Sequence, residues 1–276
     1  MPTTSSKAKD YKKECQKLIT TLEKKPYFSA ALPAYNAKIN TLKNAHITQG
    51  TTPDAAQKLA EQEILSNLHD VLRDAQSLVE SHITQRINNG EISNADHARK
   101  SAAGNIFQQF VAYCLAKNVL NGSINVPVII TLSVKQIIDK YAAITVDNEI
   151  QKPDSDVIVY SEKKDTPILN FSCKTSCRER AGQTYKWKLL CDLATCKCSH
   201  KTGNSQCPAT RYKLGYTPSK DIKMCFVTTD LYDELNNPQI SGMFGFFDKA
   251  YVAKTQSHNN GIIIFQEVIQ YINSIF

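Results

Sequence analysis

Apolar residues in the first third of the chain recur with a period near 3.6, which predicts amphipathic helices. The first predicted helix covers residues 7–25 and ends where Pro26 and Pro33 interrupt the chain. A second covers residues 53–87 and begins with a proline, a residue favoured in the first turn of a helix. A third covers residues 94–118 and carries aromatic residues on one face. This part of the chain is therefore predicted to be helical.

After residue 120 the pattern changes to short runs of β-branched and aromatic residues, which are typical of strands. Residues 157–160 and 168–171 form two such runs around a charged turn and predict a β-hairpin. The other predicted elements are a strand within 124–133, a short ambiguous segment 134–141, a helix over 176–194, an irregular segment 195–220, a strand over 222–229, a strand within 242–252 and a helix over 262–276. The predicted buried side of the helix over 176–194 is Ala181, Tyr185, Leu189 and Leu193. This order of elements predicts a mixed α/β sheet.

The predicted hairpin brings polar residues together at its open end. With the turn centred on residues 163–164, Asp156 lies opposite Ser172. Lys174 follows two residues later on the same face, because side chains alternate along a strand. An aspartate beside a strand lysine can hold a divalent cation and a water molecule together. Asp154 lies one step further from the strand and is the alternative acid.

The residues around this hairpin resemble a known group of nucleases. Pro153-Asp154 followed by Ser172-Cys173-Lys174 resembles the PD-(D/E)XK nuclease superfamily, with serine in place of the second acid. The triplet Arg178-Glu179-Arg180 makes the segment similar to the type II restriction endonucleases that cut CCGG- and CCNGG-type sites. In that group an R-(D/E)-R triplet reads guanine and cytosine. The resemblance covers about residues 150–190.

The resemblance implies a restriction-endonuclease-like α/β fold, with a mixed-sheet core flanked by helices. This nuclease core is expected over residues 94–276, after a helical N-terminal region over 1–93 and with a basic, cysteine-rich insertion at about 195–220. The implied function is a type II restriction endonuclease that hydrolyses double-stranded DNA with Mg²⁺ at a short, GC-containing palindrome. A palindromic site implies a homodimer. A cognate DNA methyltransferase acting on the same site is expected to protect the host, in a prokaryotic cytoplasm.

The resemblance also suggests roles for the residues at the hairpin. Asp156 is the first choice of Mg²⁺ ligand because it directly precedes the apolar strand, and Asp154 is the second, because it matches the Pro-Asp motif. Lys174 is expected to orient the attacking water and to offset phosphate charge. An aspartate that caps a turn and a lysine at a solvated strand edge are the ordinary structural alternatives.

The second acid of the family is missing from this chain. In the resembled enzymes with Ser-any-Lys, a glutamate on the following helix supplies it, and Trp187 or Lys188 falls at that position here. Gln183 is the predicted replacement, through its amide oxygen, and Asp192 is a more distant alternative. The segment AAGNIFQQFVAYCL resembles the first helix of the nuclease core, where a glutamate often follows the phenylalanine. Gln108 and Gln109 stand there, and no metal role is assigned to them.

The residues predicted to contact DNA are Arg178, Glu179, Arg180, Lys186 and Lys188. Each arginine of the triplet can donate two hydrogen bonds to guanine O6 and N7, and Glu179 can accept one from cytosine N4. A competing interpretation of Glu179 is a capping box with Ser176, in the pattern S-x-x-E. The glutamate cannot easily serve both purposes.

Charge supports a nucleic-acid partner. The chain has 276 residues, 42% of them hydrophobic and 21% charged, and a net charge of +7. Residues 174–223 contain 11 basic and three acidic residues, so the remainder of the chain is nearly neutral. A basic surplus in one segment suits binding to a phosphate backbone. No apolar run approaches the roughly 20 residues of a membrane helix, and no secretory signal is visible, which predicts a soluble cytoplasmic protein without a membrane partner.

The nine cysteines are an odd number in a chain without a secretion signal, which argues against a disulfide framework. Candidate zinc ligands are Cys191, Cys196, Cys198, His200 and Cys207. Their spacing matches no common zinc module, and free thiols are the preferred interpretation.

Two other functions are compatible with the sequence. One is a nuclease of the same fold that acts in repair or on branched DNA, which would not need the Arg-Glu-Arg triplet. The other is a catalytically inactive, sequence-specific DNA-binding protein, because the second acid is missing.

Overall fold

The structure, a computed structural model, describes residues 10–132, 135–141, 143–196, 207–216, 220–238, 242–256 and 261–276. Its helices are α1 (Tyr11–Glu23), α2 (Pro26–Thr48), α3 (Pro53–Glu63), α4 (Leu68–Asn88), α5 (Ala95–Leu120), α6 (Lys135–Tyr141), α7 (Arg178–Thr195), α8 (Pro208–Arg211) and α9 (Val268–Ile275). Its strands are β1 (Ile129–Leu132), β2 (Ile144–Val146), β3 (Glu149–Gln151), β4 (Val157–Tyr160), β5 (Ile168–Lys174), β6 (Leu214–Tyr216), β7 (Ile222–Thr228), β8 (Lys249–Val252) and β9 (Ile262–Ile264).

The N-terminal helices correct two predictions. The first helix does end before Pro26, at Glu23, but Pro26 starts a helix that was not predicted, α2, and Pro33 lies inside it. A proline in a helix interior removes one backbone hydrogen bond. The apolar face of α2 compensates, because Phe28 and Tyr35 are buried and both rings contact Phe110 of α5. The predicted helix over 53–87 is interrupted by a buried 3₁₀ turn, Ile64–Asn67, and so forms α3 and α4.

Six strands form the main sheet in the order β1-β4-β5-β7-β8-β9. β1, β4 and β5 are antiparallel, whereas β5, β7, β8 and β9 run parallel. A small antiparallel sheet has the strand order β3-β2-β6. β2 and β3 form a hairpin upstream of β4, and β6 lies downstream of α7. The prediction of a mixed α/β core flanked by helices, with a helical N-terminal region, is confirmed.

Some element predictions after residue 120 were wrong or incomplete. The ambiguous segment before β2 contains α6, and the segment predicted to be irregular contains α8 and β6. Residues 262–264 form β9, not the start of the terminal helix, because these three isoleucines pair with β8. The strand predicted within 242–252 is limited to β8.

The two faces of the main sheet are covered differently. An apolar core joins α1, α2, α4 and α5 to one face, which includes Phe171 and Val227. On the other face, α7 lies over β5 and β7. No helix in the described part of the chain is long and apolar enough to cross a membrane.

The predicted buried side of α7 was wrong at Leu189. Leu189 is 38% exposed, Tyr185 and Leu193 are half-buried, and the side chain of Ala181 lies outside the described residues. Among the side chains of α7 that the structure describes, the buried ones are those of Thr184, Lys188, Cys191 and Ala194. Polar contacts replace apolar ones here: Thr184 Oγ1 lies 3.1 Å from Ser172 Oγ of β5, and Lys188 Nζ lies 3.6 Å from Asp248 Oδ2. Hydrophobic periodicity cannot identify a face that docks through such contacts.

Candidate active site

The open end of the β4–β5 hairpin carries the predicted acids and lysine. Val157 pairs with Phe171, so the register predicted for the two strands is confirmed over residues 157–160. Asp156 precedes the first pair. Its backbone N–H donates to the carbonyl of Phe171, the residue opposite Val157, at 3.0 Å, which attaches Asp156 to β5 outside the regular ladder.

Both aspartates meet the ammonium group of Lys174. Lys174 Nζ lies 2.7 Å from Asp154 Oδ2 and 3.0 Å from Asp156 Oδ2. The backbone N–H of Cys173 donates to Asp156 Oδ2 at 2.7 Å and fixes that carboxylate against the strand. Asp156 and Asp154 were predicted as first and second choices for one metal ligand, whereas the structure brings both carboxylates to the same lysine.

The cluster is partly shielded from water. The side chains of Lys174 and Asp156 are 11% and 17% exposed, and that of Asp154 is 35% exposed. Burial raises the pKa of Asp156 above its ordinary value, although the Lys174 ammonium opposes this effect. Burial alone would lower the pKa of Lys174, but the two carboxylates outweigh it and raise the pKa. In the free protein at neutral pH, Lys174 is therefore an ammonium ion.

The chemistry of these groups fits a hard divalent cation. Two carboxylates face one ammonium group, so the ionised cluster has one negative charge in excess. Mg²⁺ prefers oxygen ligands and commonly binds through one or two carboxylates together with water and substrate phosphate. Within the described residues, no group of three or more His, Cys, Asp or Glu side chains is arranged to hold a metal. Among the residues that the structure describes, Asp154 and Asp156 thus offer two carboxylates to a metal ion.

Of the candidates for the missing acid, only Asp192 has a described side chain, and it lies apart from this site. The side chain of Gln183 lies outside the described residues. Asp192 is held by Lys188, whose Nζ is 2.5 Å from Asp192 Oδ1. The other partner of Lys188 is Asp248, which accepts a hydrogen bond from the backbone N–H of Met224. Met224 pairs with Asn170 of β5, four residues before Lys174. Asp192 therefore belongs to a separate charged cluster beneath α7.

A cleft of about 320 Å³ opens beside Asp156, Cys173 and Lys174. Its opposite wall is one face of α5, formed by His97, Lys100, Ser101, Gly104, Asn105 and Gln108. These residues were not predicted to belong to the site. They occupy polar positions at helical spacing, but that pattern alone does not tell which part of the sheet a polar helix face meets.

The Arg-Glu-Arg triplet forms the first turn of α7, directly after the strand that ends in Lys174. The side chains of Arg178, Glu179 and Arg180 lie outside the described residues. The proposed capping box was wrong in one respect, because the N-cap residue is Cys177 and not Ser176.

A distant acid supports the beginning of α7. The backbone N–H of Cys177 donates to Glu234 Oε2 at 2.9 Å. The backbone N–H of Glu234 in turn donates to the buried carboxylate of Asp230 at 2.7 Å. No sequence signal relates Glu234 to α7, because the contact joins residues far apart in the chain.

The two lysines predicted to contact DNA from α7 differ in placement. Lys186 is exposed. Lys188 is buried, and its ammonium group contacts Asp192 and Asp248. Lys188 therefore helps to attach α7 to the sheet, and its charge is already balanced.

The cysteine cluster is only partly described. Cys198 and His200 lie outside the described residues. Cys191 is buried in α7, and burial raises the pKa of its thiol to about 12. A zinc ligand is a thiolate, so this environment does not favour Cys191 as a ligand. Zinc binding stays an untested prediction.

Comparison with known proteins adds an independent finding. The sequence model of the family described as BsaWI restriction endonuclease type 2 matches residues 133–275, just over half of the chain. The matched segment includes the two aspartates, Lys174 and the whole of α7, and it leaves out α1 to α5. The comparison with curated proteins found no match.

Proposed function

Because the chain belongs to the BsaWI restriction endonuclease type 2 family, we propose that it cuts double-stranded DNA in a Mg²⁺-dependent reaction at a short, GC-containing palindrome. The observation that carries the proposal is the convergence of Asp154 and Asp156 on the ammonium group of Lys174. We further propose that the enzyme is of the PD-(D/E)XK type and resembles the CCGG/CCNGG-cutting group within it.

In this proposal Asp154 and Asp156 hold the metal ion, which when bound lowers the pKa of a water molecule and offsets charge on the phosphate. Lys174 contributes a positive charge and hydrogen-bond donors to the phosphate oxygens or to the attacking water. In the free protein the two carboxylates raise the pKa of Lys174, and the role proposed here uses its ammonium form, which is a hydrogen-bond donor. Gln183 remains our proposal for the neutral oxygen donor in place of a second acid.

Recognition is assigned to the start of α7. Arg178 and Arg180 are proposed to read guanines, and Glu179 to accept from cytosine N4. The proposal is supported by their position in the first turn of the helix that follows Lys174. Exposed Lys186 is proposed to contact phosphate, whereas we withdraw Lys188 from this role because its ammonium group already contacts Asp192 and Asp248.

The assembly follows from the proposed palindrome. Two identical half-sites require two active sites, so we propose a homodimer, together with a methyltransferase that protects the same site. We retain residues 94–276 as the nuclease core and 1–93 as a helical region. The apolar core is continuous across this boundary, from Cys15 in α1 to Ile272 in α9, and we therefore expect both parts to fold together.

Incubating the purified protein with plasmid DNA and Mg²⁺ tests the proposed function. Discrete fragments that disappear in a chelator are the expected result, and sequencing their ends identifies the site. Nicking that depends on DNA branches instead of sequence would indicate a repair-type nuclease of the same fold. DNA that is bound at a specific sequence but left intact would indicate a catalytically inactive binding protein.

A further inference from the structure

The wall of α5 that faces the active-site cleft is polar, and most of it is exposed. His97, Lys100, Ser101 and Asn105 are exposed there, and Gln108 is half-buried. These positions recur every three or four residues, so they share one side of the helix. Asp156 is the only carboxylate among the described residues that line the cleft. An incoming anion would meet little repulsion along this wall.

The charge of Lys100 is not balanced by the fold. Arg99, the preceding residue, contacts Glu80 and Asp96 with its guanidinium group. In contrast, no described carboxylate lies within 4.0 Å of the Lys100 ammonium group. Two neighbouring cations on one helix are therefore used differently: Arg99 joins α5 to α4, whereas Lys100 projects a free positive charge at the cleft.

Gly104 occupies the middle of this wall. Glycine within a helix destabilises a protein by about 0.5–1 kcal/mol relative to alanine. Neither packing nor backbone geometry requires it here, because a Cβ atom built on Gly104 meets nothing within 4 Å. The glycine leaves a shallow open space next to Lys100 on a surface that faces the active site. Such a space suits close approach of another molecule's backbone.

The amides of the wall are already oriented. Asn105 Nδ2 donates to Ser101 Oγ at 3.1 Å, and Gln108 Nε2 donates to Asn105 Oδ1 at 3.1 Å. Each amide group has two N–H donors, so each retains one for a ligand. Held side chains lose less conformational entropy when they bind.

We propose that this wall of α5 binds the sugar–phosphate backbone of the DNA strand that enters the cleft, at phosphates next to the one that is cut. The inference rests on the proposed function, since it places these contacts beside Asp156 and Lys174. Lys100 pairs with a phosphate, Gly104 admits the backbone, and the amides of Asn105 and Gln108 donate to phosphate oxygens. None of these groups reads a base, so the contact is independent of sequence.

Salt dependence of binding tests this assignment. Affinities of wild type and Lys100→Ala are measured over a salt series for a cognate and a random duplex, with Ca²⁺ in place of Mg²⁺. A lost phosphate contact reduces the slope of log affinity against log salt by about 0.9. The ratio of the wild-type affinity to the Lys100→Ala affinity should therefore fall about threefold between about 50 mM and 200 mM salt, by the same factor for both duplexes. Lys17→Ala, at an exposed lysine of α1 that does not line the cleft, is the matched control and should keep the wild-type slope.

A second variant tests the space at Gly104. Gly104→Gln should raise the unfolding temperature, because glutamine is a better helix former, and should weaken DNA binding at the same time. A wild-type slope for Lys100→Ala would overturn the inference, as would a Gly104→Gln protein that binds DNA like wild type. Wild-type protein that neither binds nor cuts DNA would instead refute the proposed function.

Discussion

Replacing Lys174 by alanine removes the group on which the two aspartates converge. The substitution leaves two carboxylates facing each other without a cation, because Lys174 Nζ is within 3.0 Å of an oxygen of each. We expect DNA cleavage to be lost while sequence-specific binding remains, since the proposed base contacts lie on α7.

The size of the effect follows from the geometry. Two oxygens that share one nitrogen neighbour are at most about 6 Å apart, so their mutual repulsion, which the ammonium group offsets in the wild type and no longer offsets in the variant, is about 3 kcal/mol at an effective dielectric constant of about 20. Solvent at Asp154, which is 35% exposed, reduces this cost to about 1–2 kcal/mol. The unfolding temperature should then fall by about 2–8 °C. Loss of one electrostatic donor in an active site typically lowers the rate by about 10²–10³-fold.

Mg²⁺ provides a readout that a merely structural role would not give. With Lys174 absent, the carboxylate pair has a stronger need for a cation, so added Mg²⁺ should raise the unfolding temperature of Lys174→Ala more than that of wild type. Single-turnover cleavage, thermal unfolding with and without Mg²⁺, and binding in Ca²⁺ are the measurements, with Lys17→Ala as control. A Lys174→Ala protein that cuts at the wild-type rate would refute the assignment of the active site.

Three further substitutions probe separate parts of the account. Asp156→Asn should abolish cleavage without lowering the unfolding temperature at neutral pH, because burial raises the pKa of Asp156 and the ionised form is the disfavoured one. Any gain in stability of Asp156→Asn over wild type at neutral pH should shrink as the pH drops through that pKa, because the wild-type carboxyl is then protonated as well. A variant that is less stable than wild type at neutral pH would contradict the reasoning. Arg178→Ala should cost about 1–3 kcal/mol in binding to the cognate duplex and little on random DNA, and an unchanged site preference in competition assays would exclude its reading role. Lys220→Met should lower the free energy of unfolding by about 1–3 kcal/mol, because the Lys220 ammonium donates to carbonyls of Ser161, Lys163 and Thr166 in the β4–β5 turn; unchanged urea unfolding would show that water replaces it.

The β4–β5 hairpin could be predicted because its determinants are local. Two apolar runs, a charged turn and the alternation of strand side chains fix which residues face each other. The register that pairs Val157 with Phe171, and so brings Asp156 to the end of β5, follows from these features alone. The participation of Asp154 did not follow, because it depends on how the chain bends before β4 and not on a repeating pattern.

Tertiary contacts decided the features that the sequence did not predict. Pro33 is tolerated within α2 because the aromatic residues around it pack against α5. The buried side of α7 is set by Thr184 and Lys188, whose partners Ser172 and Asp248 come from the sheet. The cleft-facing wall of α5 is equally invisible to periodicity, since a polar helix face reads as solvent-exposed until the sheet beside it is known.

Diffraction from crystals of the protein bound to its cognate duplex and Mn²⁺ tests the central claim most directly. Anomalous scattering would locate the metal ion independently of the protein coordinates. We expect a peak between the carboxylates of Asp154 and Asp156, with a DNA phosphate and the Lys174 ammonium group beside it. A metal peak elsewhere, or a duplex bound away from this cleft, would contradict it.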